Sequence, residues 1–99
     1  MTIWFDIATG LNETVAAVAE QLEEFDETFS PEVRQADPRF GDYQANGVLP
    51  YAKRNQKNPR ALAETLIKSL VDSGKIDTAQ IEISVAGPGF INFKLSEAF

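Results

Sequence analysis

Residues 86–95 read AGPGFINFKL, and three side chains in this stretch carry usable chemistry. Alternate residues of an extended chain share a face, so Phe90, Asn92 and Lys94 stand together at a spacing of two. A ring, an amide and an ammonium in a row match the parts of an unpaired nucleotide. The base stacks on the ring, the amide hydrogen-bonds a base edge, and the cation meets phosphate. The same three residues also fit an ordinary hairpin in which Phe90 folds over a sheet edge or packs beneath the first helix.

A second constellation is basic. Lys53, Arg54, Lys57 and Arg60 are four of the nine Lys and Arg residues, gathered where one helix is expected to end and another to begin. Such a corner suits phosphate contact. Lys53 and Arg54 equally suit the negative end of a helix macrodipole, a reading that leaves Arg60, near a helix start, unexplained. Tyr43, Gln44 and Asn46 form a third group, either capping the helix expected from 44 onward or, for Tyr43, extending an aromatic surface.

The chain contains no histidine and no cysteine. It therefore lacks the usual general base near neutral pH, the commonest metal ligand and any thiolate or disulfide chemistry. No phosphate-cradling Gly-rich loop, nucleophile elbow or metal-ligand cluster is present. Asp6, Asp37 and Asp42 show no spacing that suggests a carboxylate dyad. A binding module is expected, with no catalytic, cofactor or metal residue. The formal net charge of −6 argues against indiscriminate nucleic-acid affinity, which comes from neutralised phosphates, and leaves room for a local basic or aromatic patch. No DNA partner is expected. No apolar run approaches the roughly 18–20 residues of a membrane span, so a cytoplasmic chain without membrane contact is expected.

The elements that must position these residues follow from periodicity. Trp4, Ile7, Leu11, Val15, Val18, Leu22 and Phe25 recur at three and four, which predicts one long amphipathic helix with Gly10 weakening its first turns. Short strands are predicted at 32–36 and 40–43 around the turn-forming Asp37, Pro38 and Arg39. A helix is predicted over 44–55, with Pro50 either kinking it or delaying its start. Asn58 as N-cap, Pro59 at the first position and Gly74 as the stop bound the next helix, whose buried stripe is Leu62, Ala63, Leu66, Ile67 and Leu70.

In the last third, residues 81–85 alternate apolar and polar as a half-buried strand does. Pro88 and Gly89 match the central residues of a type II turn. Ile91, Phe93 and Leu95 then share the core face with Ile81, Ile83 and Val85, leaving Phe90, Asn92 and Lys94 outward. At 99 residues this is one domain, and an end at Phe99 with no tail is what a domain cut from a longer protein would show.

Residues 86–93 fit the RNP1 octamer of RNA-recognition motifs at Gly87, Gly89, Phe90, Ile91 and Phe93. They fail it at Ala86, where a basic residue belongs, and at Pro88, where a stacking aromatic belongs. That fold also opens with a strand, whereas this chain opens with a helical pattern.

Two longer blocks, FGDYQANGVLPYAKRNQKNPRALAE at 40–64 and EISVAGPGFINFKL at 82–95, together resemble the N-terminal additional domain of bacterial arginyl-tRNA synthetases. The resemblance implies an α+β two-layer sandwich, about three helices over a small antiparallel sheet of about four strands. It implies a single domain over 1–99, placed ahead of the catalytic and anticodon-binding domains of an arginine–tRNA ligase whose ATP substrate binds elsewhere. The implied partners are the D-loop at the elbow of tRNA(Arg), in many bacteria an unpaired adenosine there, and the catalytic domain of the same chain, in a monomer. The family's contacting aromatic and small amide, two residues apart after a Gly-rich turn, fall on Phe90 and Asn92. With the turn and the basic corner, the expected tRNA-facing set is Phe90, Asn92, Lys94, Gly87, Gly89, Tyr43, Lys53, Arg54, Lys57 and Arg60. Pro50 departs from the family's smooth helix, and the histidines of the class I signature lie outside these residues. A protein–protein docking module and an independent RNA-recognition-motif-like binder are the alternatives.

Overall fold

Asn58 opens a helix of 15 residues. In the computed structural model, which describes residues 7–36 and 42–95, α3 spans Pro59–Ser73. The Asn58 side chain accepts a hydrogen bond from the Ala61 N–H at 3.1 Å, and Pro59 takes a first-turn position where no N–H is needed. Gly74 ends the helix in the left-handed conformation, its N–H donating to the Val71 carbonyl. Leu62, Ala63, Leu66 and Leu70 are buried along one side, and Ile67 is half-buried beside them.

The first helix is shorter than its apolar stripe predicts. α1 spans Ile7–Ala19, with Leu11, Val15, Val18 and Ala19 buried. The chain then tightens, Gln21 N–H bonding the Val18 carbonyl and Leu22 N–H the Ala19 carbonyl. Phe25 is buried outside the helix, because its ring packs on Phe29 and Tyr51 at centroid distances of 4.5 and 5.5 Å. An aromatic cluster thus supplies the burial that the spacing assigns to further helical turns. Trp4 lies outside the described residues.

Among the described residues four antiparallel strands form one sheet. β1 is Val33–Gln35, β2 Tyr43–Ala45, β3 Ile81–Ala86 and β4 Phe90–Leu95, in the spatial order β1-β2-β4-β3. The strand expected at 40–43 lies at Tyr43–Ala45 instead; residues 40 and 41, with the turn at Asp37, Pro38 and Arg39, lie outside the described residues. Pairing with β4 (Tyr43 opposite Phe93, Ala45 opposite Ile91) commits these residues to the sheet, so no helix starts at Gln44. α2 spans Val48–Arg54 and its N-cap is Gly47, without a side-chain bond, so Tyr43, Gln44 and Asn46 do not cap it. Pro50 falls in its first turn, where the backbone N–H has no intrahelical acceptor; it marks a late start and no kink is required.

The β3–β4 hairpin also departs from expectation by one residue. Gly89 N–H donates to the Ala86 carbonyl at 3.3 Å, so the central residues of the turn are Gly87 and Pro88. Gly87 has φ +55°, the positive sign that hairpin turns need at this position. Ala86 and Phe90 close the ladder.

The helices pack on one face of the sheet. Ile91 and Phe93 are fully buried there with Val15, Leu66 and Leu70, each large side chain contributing about 1.5–3 kcal/mol of burial. Among the described residues the architecture is the expected α+β sandwich, with three helices and four strands. The element order of the described residues, α1 first with the α2–α3 pair between two hairpins, is not that of an RNA-recognition motif. No helix among the described residues is long and apolar enough to cross a membrane.

Candidate nucleic-acid interface

Strand parity sends Phe90, Asn92 and Lys94 to the face opposite the helices. Register then aligns Arg34, Gln44, Asn92 and Ser84 in one row across all four strands. The members of the expected triad differ in exposure. Lys94 is exposed, opposite Glu82, and Phe90 is half-buried opposite Ala86. Asn92 is only 8% exposed, so it is not the free outward residue that alternation implies. Its Oδ1 accepts from Gln44 Nε2 at 2.7 Å, a bond that offsets the cost of burying the amide. Beside it, Gln44, Ala86, Gly87 and Phe90 line an open recess of about 280 Å³. A ring at the rim of a mostly apolar recess, with the Gln44 amide in its lining, is a geometry that admits a planar base.

The turn before Phe90 is held from below. Arg60 Nη1 donates to the Gly87 carbonyl at 3.0 Å, while its Nε lies 3.4 Å from Glu64 one turn along α3. Gly89 rests on Pro59 so closely that a Cβ there would lie 2.9–3.0 Å from Pro59 atoms. The start of α3 therefore fixes the height of the hairpin loop, and Gly87, Gly89 and Arg60 come together at the turn before Phe90.

The rest of the basic corner is tied elsewhere. Arg54 Nη2 donates to the Thr28 carbonyl at 3.4 Å and its guanidinium lies 5.7 Å from the Tyr51 ring centroid. Lys57 Nζ donates to the Glu24 carbonyl at 3.1 Å. Both clasp the loop that follows α1, and Lys53, in the last turn of α2, is in solvent. Tyr51, fully buried, anchors the same loop: its hydroxyl accepts from the Asp26 N–H at 2.9 Å and donates to the Glu24 carbonyl at 3.3 Å. Hydrogen bonds from the Thr28 hydroxyl and backbone N–H hold the Asp26 carboxyl below its ordinary pKa of 3.8. Tyr43 lies on the helix side of the sheet, packed against the core, and does not join Phe90.

Gln44 is the residue that sequence reasoning misplaced. Its partner lies 48 positions away, and no local pattern near 44 announces the contact. Only the pairing of β2 with β4 brings the two amides together. Among the described residues no group of acidic side chains is placed to hold a metal ion.

Residues 6–95 match the family described as arginyl tRNA synthetase N terminal domain. The chain belongs to this family. Curated relatives agree: an arginine–tRNA ligase of Prochlorococcus marinus is 37% identical over 90 residues, covering 90% of this chain and 15% of that protein. One from Chromobacterium violaceum is 48% identical over 62 residues, covering 63% of this chain and 10% of that protein. The chain thus spans a small part of the length of the ligases it matches. The fold recurs in two solved structures. Arginyl-tRNA synthetase from Plasmodium falciparum superposes with a TM-score of 0.74 at 21% identity, over 93% of this chain and 16% of that one. The Thermus thermophilus arginyl-tRNA synthetase gives 0.70 at 24% identity, over 92% of this chain and 14% of that one.

Proposed function

We propose that this domain binds the D-loop at the elbow of tRNA(Arg) for a longer arginine–tRNA ligase, whose ATP-dependent chemistry and anticodon recognition lie in other domains of the same polypeptide. The observation that carries the proposal is Phe90, half-buried at the rim of a recess with the buried amide of Asn92 beside it. Phe90 stacks on an extruded base and Asn92 reads its edge. Lys94 contacts the backbone nearby. Arg60 holds the turn through Gly87, and Lys53, Arg54 and Lys57 provide positive potential along the flank. Family membership supports the ligase as parent, and the ligase's arginine, ATP and tRNA substrates come to this chain only through that reading.

Stacking of one base on an aromatic ring contributes about 1–3 kcal/mol, which is roughly 5- to 150-fold in affinity. Phe90→Ala in the full-length ligase is expected to raise KM for tRNA(Arg) roughly tenfold or more while amino-acid activation is unchanged. An unaltered KM in that variant would remove the assignment. With a net charge of −6, the domain alone should bind tRNA weakly and lose it quickly as salt rises.

A further inference from the structure

The amide of Asn92 is almost wholly buried, and one of its two polar atoms is already committed. Oδ1 faces Gln44 and accepts from its Nε2 at 2.7 Å. No described residue accepts from Nδ2, and Nδ2 is not among the polar atoms sealed from solvent without a partner. The small exposed part of Asn92 therefore has a donor to give. An unconstrained carboxamide turns by half a revolution about its last torsion and presents either a carbonyl or an NH2 group, so it reads donor and acceptor edges alike. The Gln44 bond sets Oδ1 inward in this structure, and turning the Asn92 amide requires the Gln44 amide to turn with it. Gln44 also lines the recess beside Phe90, so the residue that holds the amide adjoins the place where a ring would lie.

We propose that Gln44 is a specificity-determining positioning residue: it fixes the Asn92 amide with NH2 outward, so that the site takes an unpaired base offering a hydrogen-bond acceptor at its edge. This rests on the reading of Phe90 and Asn92 as a base-binding pair and adds the sign of the hydrogen bond and the residue that sets it. For an adenine, the acceptor is a ring nitrogen, and its exocyclic amine is not the group read by Asn92.

The test uses the full-length ligase with tRNA(Arg) transcripts assembled to carry adenosine, 1-deazaadenosine, 3-deazaadenosine or 7-deazaadenosine at the unpaired D-loop position. Each analogue keeps the ring and the amine and replaces one acceptor nitrogen by C–H. Wild-type enzyme should show KM raised about tenfold for one of the three analogues, as loss of a hydrogen bond to a buried partner does. Gln44→Leu, which keeps bulk and removes the donor, should bring that ratio below about threefold. Gln44→Glu, which can only accept and so draws the NH2 of Asn92 toward itself, should do the same. Phe90→Ala should raise KM for all four transcripts together and leave their ratios alone.

A merely structural role for Gln44 would weaken all four transcripts equally and preserve the ratio; that result overturns the proposal and leaves the base-stacking reading standing. A wild-type KM indifferent to all three analogues overturns it as well. An unaltered KM in Phe90→Ala removes the stacking reading and this one with it. Should the Gln44 variants fail to fold, NMR of the wild-type chain decides: the Asn92 side-chain NH2 protons should shift and gain protection from exchange on addition of tRNA(Arg). Their indifference, with Phe90 ring signals shifting, overturns the proposal.

Discussion

Gly89→Ala isolates what the seat of the hairpin on α3 contributes. Gly89 has φ +144°, a conformation that costs an L-residue about 1–3 kcal/mol. A Cβ there would lie 2.9 Å from Pro59 Cβ and 3.0 Å from the Pro59 backbone carbon and oxygen, none of them the free end of a flexible chain. Relieving that overlap requires the loop to lift off the helix, an overpacking cost of about 1–3 kcal/mol. The sum is roughly 2–6 kcal/mol against a total stability of about 5–15 kcal/mol for a domain of this size. At about 4–8 °C per kcal/mol, Tm should fall by at least ~8 °C. Gly74→Ala is the matched control, because Gly74 also has positive φ (+71°) but has nothing within 4 Å of the added Cβ. It should lose only the backbone term, about 1–2 kcal/mol. Thermal and urea denaturation of both variants, followed by circular dichroism, measures the difference. Equal losses in the two would refute the claim that close approach to Pro59 fixes this turn. A lifted loop also carries Phe90 with it, so Gly89→Ala in the full-length ligase should raise KM for tRNA even where the enzyme remains folded.

Three further outcomes are expected. Asn58→Ala removes the side-chain acceptor for the Ala61 N–H and should cost about 0.5–2 kcal/mol in urea unfolding; a loss below measurement would mean the cap is not used. Tyr51→Phe keeps the ring packing but leaves the part-buried Asp26 N–H without its acceptor, a cost of about 1–3 kcal/mol, with faster amide exchange at Asp26 as the local sign. Asp26 titrates below 3.8 because it accepts from Thr28, so its contribution to stability is present above that value and is lost as pH falls through the lower folded-state pKa. Thr28→Val should move the Asp26 carboxyl pKa upward toward 3.8 by carbon-detected NMR titration, and an unmoved value would assign the shift to another cause.

How far the fold was legible depended on whether burial and local chemistry agreed. α3 was readable end to end, because Asn58, Pro59 and Gly74 act on the backbone beside them and its stripe faces the core. The core face of β4 was readable for the same reason, since Ile91 and Phe93 alternate with polar neighbours and both are fully buried. The stretch from Leu22 to Phe25 misled because helical spacing and aromatic clustering make the same demand for burial. Which one is met depends on Tyr51, an element away. Gln44 and Ala45 misled for a related reason: adjacent to a helical pattern, they are strand only because β4 offers hydrogen bonds to that segment.

The candidate site divides along the same line. Sequence alone determined that Phe90, Asn92 and Lys94 share a face and follow a Gly-rich turn, because strand periodicity is a property of the backbone. It also determined the family, through two blocks of residues at a fixed separation. Only the tertiary structure decided that the face is unequal, with Lys94 in solvent, Phe90 at a rim and Asn92 buried against Gln44. Only there does Arg60 reach the Gly87 carbonyl, while Arg54 and Lys57 turn to the loop after α1. The physical reason is range. Periodicity and capping act within a few residues, whereas an amide's orientation is set by whichever partner the sheet register places beside it.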